Sequence, residues 1–445
     1  MTQIDLDHPI HEQVDTYRDA ADSVVPADVR AYYDGNQPVV VSPDLQAALD
    51  DRAMRPLIEN MIARCVDTIA GRLLFSQYVC DDNDVSVALN DFAAKNHFTN
   101  LVISNTSRGL VDGNTAISLG WDSDSSRPLA FQEQWWDGDE GVYIETSESG
   151  IEQWAVKEWT ALDKRKRRTV YLPDRILRFI RDGEKWSPYP DESAYEQPWV
   201  KADGTPLGVP MIHFANVGSA DSKYGRSKVE PLLGLQDSLN GVLFDIVAAS
   251  ALAAFGVYTA SGVDTKKNPL HVGPGRLWSS ENDKANFDVL NGSSMEALED
   301  SYRLIRSSIS SQFPVADHVI TGSNWPSGTA LQRAESEMVG YVKKLGDHWA
   351  PDYVRVGHRA TEMMNAFGSA GLDEDAIIRV AYEAAEQLDE GTMAEIDRER
   401  VETFALLAGL PKSLMVKTRI VDEAEAETIT QEQASSMSLI ADAGF

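Results

Sequence analysis

The chain has 445 residues, of which 43% are hydrophobic and 25% are charged. These proportions are ordinary for a globular protein and unlike those of a disordered chain. The 70 acidic and 40 basic residues give a formal net charge of −30 at pH 7. A surface of that sign repels a phosphate backbone, which argues against a protein that grips nucleic acid tightly. The length predicts about two to four domains.

The cysteines and the apolar stretches indicate the cellular context. Cys65 and Cys80 form no CxxC pair and no metal-ligand pattern, so we expect two free thiols in a reducing cytoplasm and no bound metal. The N-terminus is polar and acidic, unlike a signal peptide. The most apolar stretch, residues 242–258, is short, alanine-rich and interrupted by Asp245, which predicts a buried helix and not a membrane span.

Residues 1–114 have the hydrophobic periodicity of helices. Within residues 54–75, one face carries apolar side chains at helical spacing. These side chains are Ile58, Ile62, Val66, Ile69 and Leu73. A second short helix is expected at residues 99–111, ended by the turn-forming sequence Asp-Gly-Asn at residues 112–114.

The pattern changes to that of a mostly antiparallel β region over residues 115–214. Short runs of strand-forming residues alternate with turn residues there, at 116–119, 154–156 and 169–172. The basic run at residues 164–168 lies between two of these predicted strands. Its position predicts a solvated hairpin tip.

Two helical segments separated by an irregular insert follow. Residues 227–254 place apolar side chains at the helical period, and their alanine-rich end permits close approach of a neighbouring helix. Residues 256–293 break this pattern with Gly, Pro and Asn and with short β-like runs. Residues 294–312 are predicted to be helical again, and residues 313–327 to form a loop.

The strongest periodic pattern lies in residues 328–367, where apolar side chains recur every three or four residues. This seam consists of Leu331, Ala334, Met338, Val342, Leu345, Trp349, Tyr353, Val356 and Ala360. A helix of roughly 40 residues would span about 60 Å. Pro351 lacks a backbone donor, so we expect a kink there. The remainder, residues 373–445, has seventeen acids and six bases and is expected to form a few short helices.

Sequence motifs of catalysis are missing. The chain has no GxxxxGK[ST] phosphate-binding loop, no HExxH zinc motif and no GxSxG nucleophile motif, and no cofactor is predicted. Asp81, Asp82 and Asp84 lack the central glycine and closing glutamate of an EF-hand, so a solvated loop without metal is expected. The ten tryptophans leave an acidic glycan-active enzyme as an alternative. That chemistry needs two carboxylates at a set separation, and nothing singles out a pair.

Six segments stand out by their residues and by their order. They are Tyr32-Tyr33-Asp34-Gly35; the following helix with Asn60 and Asp67; Tyr171-Leu172-Pro173-Asp174; Pro210-Met211-Ile212-His213-Phe214-Ala215-Asn216 leading to Tyr224-Gly225-Arg226-Ser227; Leu235-Gln236-Asp237-Ser238-Leu239-Asn240; and Pro326-Ser327-Gly328-Thr329-Ala330-Leu331. Together they resemble the portal proteins of tailed bacteriophages, in the siphophage-type branch. The resemblance covers roughly residues 28–435, and the segments at 235–240 and 326–331 are its most specific parts.

This resemblance implies an α+β portal fold with a mixed α/β wing, a helical stem, a small α/β clip, a long kinked helix and an α-helical crown. The expected boundaries are 1–226 for the wing, with N-terminal helices and then an antiparallel β region; 227–255 for the first stem helix; 256–293 for the clip; 294–312 for the second stem helix; 313–327 for the channel loop; 328–384 for the long kinked helix and its return to the wing; and 385–445 for the crown. The order of elements inferred from periodicity agrees with this layout. The short insert and short crown differ from larger relatives.

The resemblance also implies a function without catalysis. The chain would form a homo-oligomeric ring of twelve subunits at one capsid vertex of the virion, assembled in the host cytoplasm. Double-stranded DNA would pass through it without sequence specificity, and no membrane is involved. The implied partners are the terminase large subunit, then a head–tail adaptor, with the major capsid and scaffolding proteins. The alternatives are another head–tail structural protein, such as an adaptor or minor capsid component, and the glycan-active enzyme.

Three sets of site residues follow from the resemblance. The channel loop would bring five side chains near the DNA, namely Asp317, His318, Thr321, Ser323 and Asn324. None of these is a strong phosphate ligand, which fits weak, sequence-independent contact; the alternative is a simple connector. The clip would offer partner contacts at Lys266, Lys267, His271, Arg276 and Trp278, although the two lysines would equally suit a solvated turn. Pro351 marks the helix kink.

Overall fold

The computed structural model describes residues 10–21, 24–38, 58–190, 195–217, 222–255, 257–263, 282, 284–290, 295–316, 319 and 328–383, all within one compact unit, Met1–Ala385. The helices are α1 (Ile10–Ala20), α2 (Ala27–Asp34), α3 (Met61–Ala70), α4 (Asn83–Lys95), α5 (Phe98–Asp112), α6 (Leu233–Phe255), α7 (Met295–Gln312) and α8 (Gly328–Gly368). The strands are β1 (Phe75–Cys80), β2 (Asn114–Asp122), β3 (Arg127–Glu133), β4 (Gly141–Thr146), β5 (Glu152–Thr160), β6 (Lys166–Tyr171), β7 (Arg175–Asp182), β8 (Lys185–Pro188), β9 (Glu196–Pro198), β10 (Met211–Ala215), β11 (Val257–Ser261), β12 (Asn286–Leu290) and β13 (Ile378–Tyr382). The described residues contain both helices and antiparallel sheets, which confirms the predicted α+β class.

The strands pair in antiparallel sheets. A six-stranded sheet has the order β4-β5-β6-β7-β8, with β9 also pairing with β7. A three-stranded sheet has the order β10-β2-β3. Two further pairs join β11 with β12 and β1 with β13. In the last pair Phe75 lies opposite Tyr382, so strands from distant parts of the chain are joined in one sheet.

The larger hydrophobic core brings α3, α4, α5 and α8 together around β1 and β2. Asn60 caps the start of α3: its side chain accepts a hydrogen bond from the Ala63 N–H at 3.0 Å and so satisfies a free helix donor. Ile62, Val66 and Ile69 of α3 are completely buried. Each such side chain contributes roughly 1.5–3 kcal/mol through burial, so α3 is fixed in the core.

A second, aromatic core lies on the six-stranded sheet and includes Trp135, Tyr143 and Trp154. The helix α1 packs on this sheet through ionic contacts. Arg18 of α1 lies 2.5 Å from the Glu158 carboxylate, which also accepts a hydrogen bond from Arg168 at 3.0 Å. These buried charges are therefore paired, as burial requires.

The long helix α8 runs without interruption through Pro351. Its buried seam comprises Met338, Val342, Leu345, Trp349, Tyr353, Val356 and Ala360. Both sides of the proline contact β10. Trp349 Nε1 donates to the Ala215 carbonyl at 2.9 Å, and Arg355 donates to the His213 carbonyl at 3.2 Å. The middle of α8 is therefore held against the sheet.

The N-terminal helical prediction needs two corrections. The helix expected at residues 54–75 spans Met61–Ala70 in the described residues, and Ile58 lies before it and is partly exposed. The strand Phe75–Cys80 lies inside a region expected to be helical. Its hydrogen-bond partner is β13, which lies where short helices were expected. Pairing between strands so far apart leaves no local periodicity to detect.

The basic run at 164–168 is also only partly the predicted hairpin tip. The strand β6 already begins at Lys166, and the turn occupies residues 161–165. Arg168 lies buried in β6 because Glu158 neutralises it. Across the described residues, no helix has the length and apolarity that would let it cross a membrane.

Candidate functional site

Sequence segments singled out above meet at the beginning of α6. Gln236 Oε1 accepts a hydrogen bond from the Met61 N–H at 3.1 Å, and its Nε2 donates to the Glu59 carbonyl at 2.5 Å. Asn240, one turn later on the same helix face, accepts from the Glu59 N–H at 3.1 Å. We call these four residues the α6 root. Both amides are buried and have partners, so they fix the start of α6 in a single register.

The tyrosine segment at residues 32–35 also contacts the beginning of α6, next to the α6 root. The Tyr32 hydroxyl donates to Asp237 of α6 at 2.7 Å, and the Tyr33 hydroxyl donates to Asp67 of α3 at 2.7 Å. Burial first, and then Asp237, raises the pKa of Tyr32 to about 12. The hydroxyl therefore stays protonated and remains a donor. The motif residues thus form a joint between α2, α3 and α6.

A second joint connects the segments at 112–114, 213–216 and 224–227. The Asn114 carboxamide oxygen accepts from the Gly225 N–H at 2.8 Å, and the Asn216 N–H donates to the Gly113 carbonyl at 2.8 Å. A Cβ atom on Gly225 would lie 2.1 Å from that same carbonyl oxygen. Only glycine fits this close approach. The chain is therefore fixed just before it enters α6.

His213, part of this second joint, is buried and stacked on Trp135 with ring centroids 4.7 Å apart. Its Nε2 lies 3.0 Å from Asn114 Oδ1. Burial, and then the nearby charges of Arg355 and Lys223, lower the pKa of His213 to about 3. A neutral, fully enclosed imidazole of this kind serves packing and hydrogen bonding and is not available as a general base.

The part of α6 beyond the root is mostly apolar in its sequence. From Gly241 to Phe255 the helix carries one charged residue, Asp245. The helix α7 lies alongside it, and Ser250 Oγ is 3.8 Å from the Met295 sulfur. Val242 and Ile246 remain only half-buried within one chain. Because a strongly apolar helix is normally buried, Val242 and Ile246 leave apolar area that the described part of one chain covers only partly.

Two cavities lie away from the α6 root. One, of about 500 Å³, lies between β1 and the α4–α5 corner and is lined by Phe75, Ser76, Gln77, Asn90, Ala93, Ala94, His97, Phe98, Thr99 and Asn100. The other, of about 180 Å³, lies beside the end of α8 and has one carboxylate, Asp91, in its lining. Glycoside hydrolysis needs two carboxylates on either side of the bond. Neither cavity supplies such a pair.

The acidic triplet at residues 81–84 contributes to a helix start. Asp82 caps α4, accepting a hydrogen bond from the Val85 N–H at 2.9 Å. In the part of the chain that the structure describes, no three His, Cys, Asp or Glu side chains are grouped to hold a metal ion. The predicted channel-loop residues (Asp317, His318, Thr321, Ser323 and Asn324), the clip residues (Lys266, Lys267, His271, Arg276 and Trp278) and the crown lie outside the described residues.

Three charged residues near α3 were not identified from the sequence. Glu59 belongs to the α6 root, and Arg64 and Arg72 contact segments that follow α7. No local pattern marks them, because their partners are distant along the chain; Arg72 and its partner are 263 residues apart. In the sequence, these residues are marked only as charges within or beside a helix, α3, that has an apolar face.

No family model and no curated protein matches this chain. Solved structures give distant likenesses. A chain in the virion of a native gene transfer agent particle is 14% identical, with a TM-score of 0.41, over 84% of this chain and 92% of that chain. A chain in the neck of the empty particle, computed with C6 symmetry, is 13% identical, with a TM-score of 0.44, over 86% and 95%. A chain in the neck of the native particle, computed with C12 symmetry, is 13% identical, with a TM-score of 0.42, over 84% and 91%. These TM-scores lie below 0.5, so the likenesses carry no argument about the function of this chain.

Proposed function

We propose that this chain is a phage portal protein, the subunit of a closed ring at one capsid vertex through which DNA is packaged and ejected. The α6 root is the observation that carries this proposal. Sequence segments that resemble portal motifs meet there, and they hold the beginning of an apolar helix instead of lining a catalytic cavity. Such a site serves architecture and assembly.

The order of the elements supports the same function. An apolar helix (α6), a two-stranded sheet (β11 with β12), a returning helix (α7) and a long helix (α8) follow one another. In the proposed portal they are the first stem helix, the base of the clip, the second stem helix and the long helix; a kink at Pro351 stays a prediction. The remaining described helices and sheets form the wing.

The half-buried apolar side chains of α6 support the proposed ring. A closed ring of identical subunits needs head-to-tail contacts, in which each copy meets the next through two different surfaces. Burial of Val242 and Ile246 against a neighbour removes apolar area from water and stabilises that contact. Twelve copies at −30 each carry a formal charge of −360. An acidic bore repels DNA and keeps it mobile, within a screening length of about 8 Å at physiological salt.

The remaining parts of the proposal concern partners. Phe313, Val315 and Ala316, at the start of the predicted loop 313–327, are buried in the larger core. In the proposed portal the later part of this loop, with Asp317, His318, Thr321, Ser323 and Asn324, lines the narrowest part of the bore. The clip residues Lys266, Lys267, His271, Arg276 and Trp278 contact the terminase large subunit during packaging and a head–tail adaptor afterwards. The major capsid and scaffolding proteins are further partners of the proposed portal.

Labelled virions test this function. Virions of the phage that encodes the chain are prepared with an epitope tag on this protein and labelled with gold-conjugated antibody, after partial disruption if the tag is covered. The proposal predicts label at one vertex per particle, on the tail side. Label spread over the shell, or present only along the tail, would contradict it. An untagged phage provides the control for background labelling.

A further inference from the structure

Glu59, immediately before α3, contacts both helices of the proposed stem. Its backbone N–H and carbonyl hydrogen-bond to Asn240 and Gln236 of α6. Its carboxylate accepts a hydrogen bond from the Tyr302 hydroxyl of α7 and lies 3.9 Å from Arg306, one turn further on. Glu59 therefore links α6 through its main chain and α7 through its side chain.

Two arginines extend these contacts along α3. Arg64, in the second turn, donates a hydrogen bond to the Val319 carbonyl, beyond the end of α7. Arg72, just after the last turn, forms two hydrogen bonds with the Glu335 carboxylate near the start of α8, each of 3.1 Å. The side chains of this ion pair are 10% and 8% exposed. Because water is nearly excluded, the pair has a defined geometry that exposed ion pairs lack.

The helix that carries these contacts is well suited to act as a rigid body. Its buried face, Ile62, Cys65, Val66 and Ile69, is completely enclosed in the larger core. Asp67, on its exposed side, is hydrogen-bonded to Tyr33 of α2. Ten residues of helix are about 15 Å long. Contacts distributed over that length therefore maintain fixed distances between their partners.

We propose that α3 positions the channel-forming segments relative to the wing, with Glu59, Arg64 and Arg72 as positioning residues. Each residue contacts a different segment: the stem helices, the chain that follows α7, and the start of the long helix. A displacement of one segment is transmitted to the others through α3. The inference rests on the proposed function in so far as these segments form a channel; the contacts that couple them are independent of it.

Hydrogen–deuterium exchange of the assembled full-length protein tests this coupling. Arg72→Gln removes the ion pair with α8, and Glu59→Gln weakens the bonds to α7. If α3 couples the segments, Arg72→Gln accelerates exchange by about tenfold in α8 residues 328–345, where its partner Glu335 lies, and also in α7. Glu59→Gln accelerates exchange in α7 and also in residues 328–345. Acceleration confined to the direct partner of each substituted residue would overturn the proposal.

Two further variants provide the controls. Arg303→Gln removes a comparable arginine from α7, but its side chain is 73% exposed, and its ion pairs within the described part of the chain are with Glu299 and Asp300 of the same helix. It should leave exchange in residues 328–345 unchanged. The double reversal Arg72→Glu with Glu335→Arg should restore the wild-type pattern that either single reversal disturbs. Persistent remote acceleration in the double reversal would also count against the proposal, because the pair would then not be its cause.

The outcomes separate this inference from the proposed function. If the protein forms rings but exchange changes stay local, α3 does not couple the segments and the portal proposal is unaffected. If the remote changes occur in a protein that never forms rings, the coupling stands and the portal proposal is wrong.

Discussion

At the residue scale, Gly225 shows how closely the segments before α6 approach one another. In Gly225→Ala, the new Cβ would lie 2.1 Å from the Gly113 carbonyl oxygen and 2.4 Å from the Asn216 nitrogen, so backbone must move. Overpacking of this kind costs about 1–3 kcal/mol, and differential scanning fluorimetry should show a lower Tm. Gly340→Ala is the matched control, since its Cβ would meet nothing within 4 Å and alanine is favoured in helices. Equal Tm values for the two variants would show that the joint is not tightly packed.

His213 gives the protein a pH dependence of known sign. Its pKa is lowered to about 3 in the folded chain, against 6.5 for the free imidazole, chiefly through burial. Between these values the unfolded state binds more protons than the folded state. The contribution of neutral, buried His213 to the free energy of unfolding is therefore complete above pH 6.5 and is lost as the pH falls towards 3. At pH 5 the loss is about 2 kcal/mol. Urea unfolding at several pH values should show a shallower decline for His213→Gln, and identical declines would contradict the assignment.

At the scale of the element, α6 carries the surface expected to join neighbouring subunits. Ile246→Asp places a carboxylate among half-buried apolar side chains, and burying an unpaired charge at a subunit contact is costly. Assembly should fail in size-exclusion chromatography, while circular dichroism of the released subunit stays native. Val87→Asp, on the exposed side of α4, is the control, since Val87 is 63% exposed and distant in the chain from α6. If Ile246→Asp leaves assembly unaffected, α6 is not part of the contact between subunits.

The elements also show what sequence patterns can and cannot predict. The helix α8 was predictable because its buried seam repeats every three or four residues, so each turn carries the same information. The pairing of β1 with β13 was not, because each strand obtains its hydrogen bonds from a partner about 300 residues away. The same reason concealed Glu59, whereas Gln236 and Asn240 were found through a motif. Local order was therefore predictable, and contacts between distant segments were not.

At the scale of the whole molecule, the proposed bore works by avoiding strong contact with DNA. The variant Asp317→Arg with Asn324→Arg would add 24 positive and remove 12 negative charges in a twelve-fold ring. Each phosphate contact steepens the salt dependence by about −0.9 in logarithmic slope. Packaging in vitro should therefore slow, and the defect should weaken as the salt concentration rises. An unchanged packaging rate at low salt would mean that this loop does not approach the duplex.

The ring itself is the central claim, and the mass of the purified full-length protein tests it most directly. Twelve copies of 49.0 kDa amount to about 590 kDa. Mass photometry across protein and salt concentrations should show one dominant species near that mass, with Ile246→Asp shifting it to the mass of a single chain. A wild-type protein that remains monomeric or dimeric under all of these conditions would contradict the portal assignment.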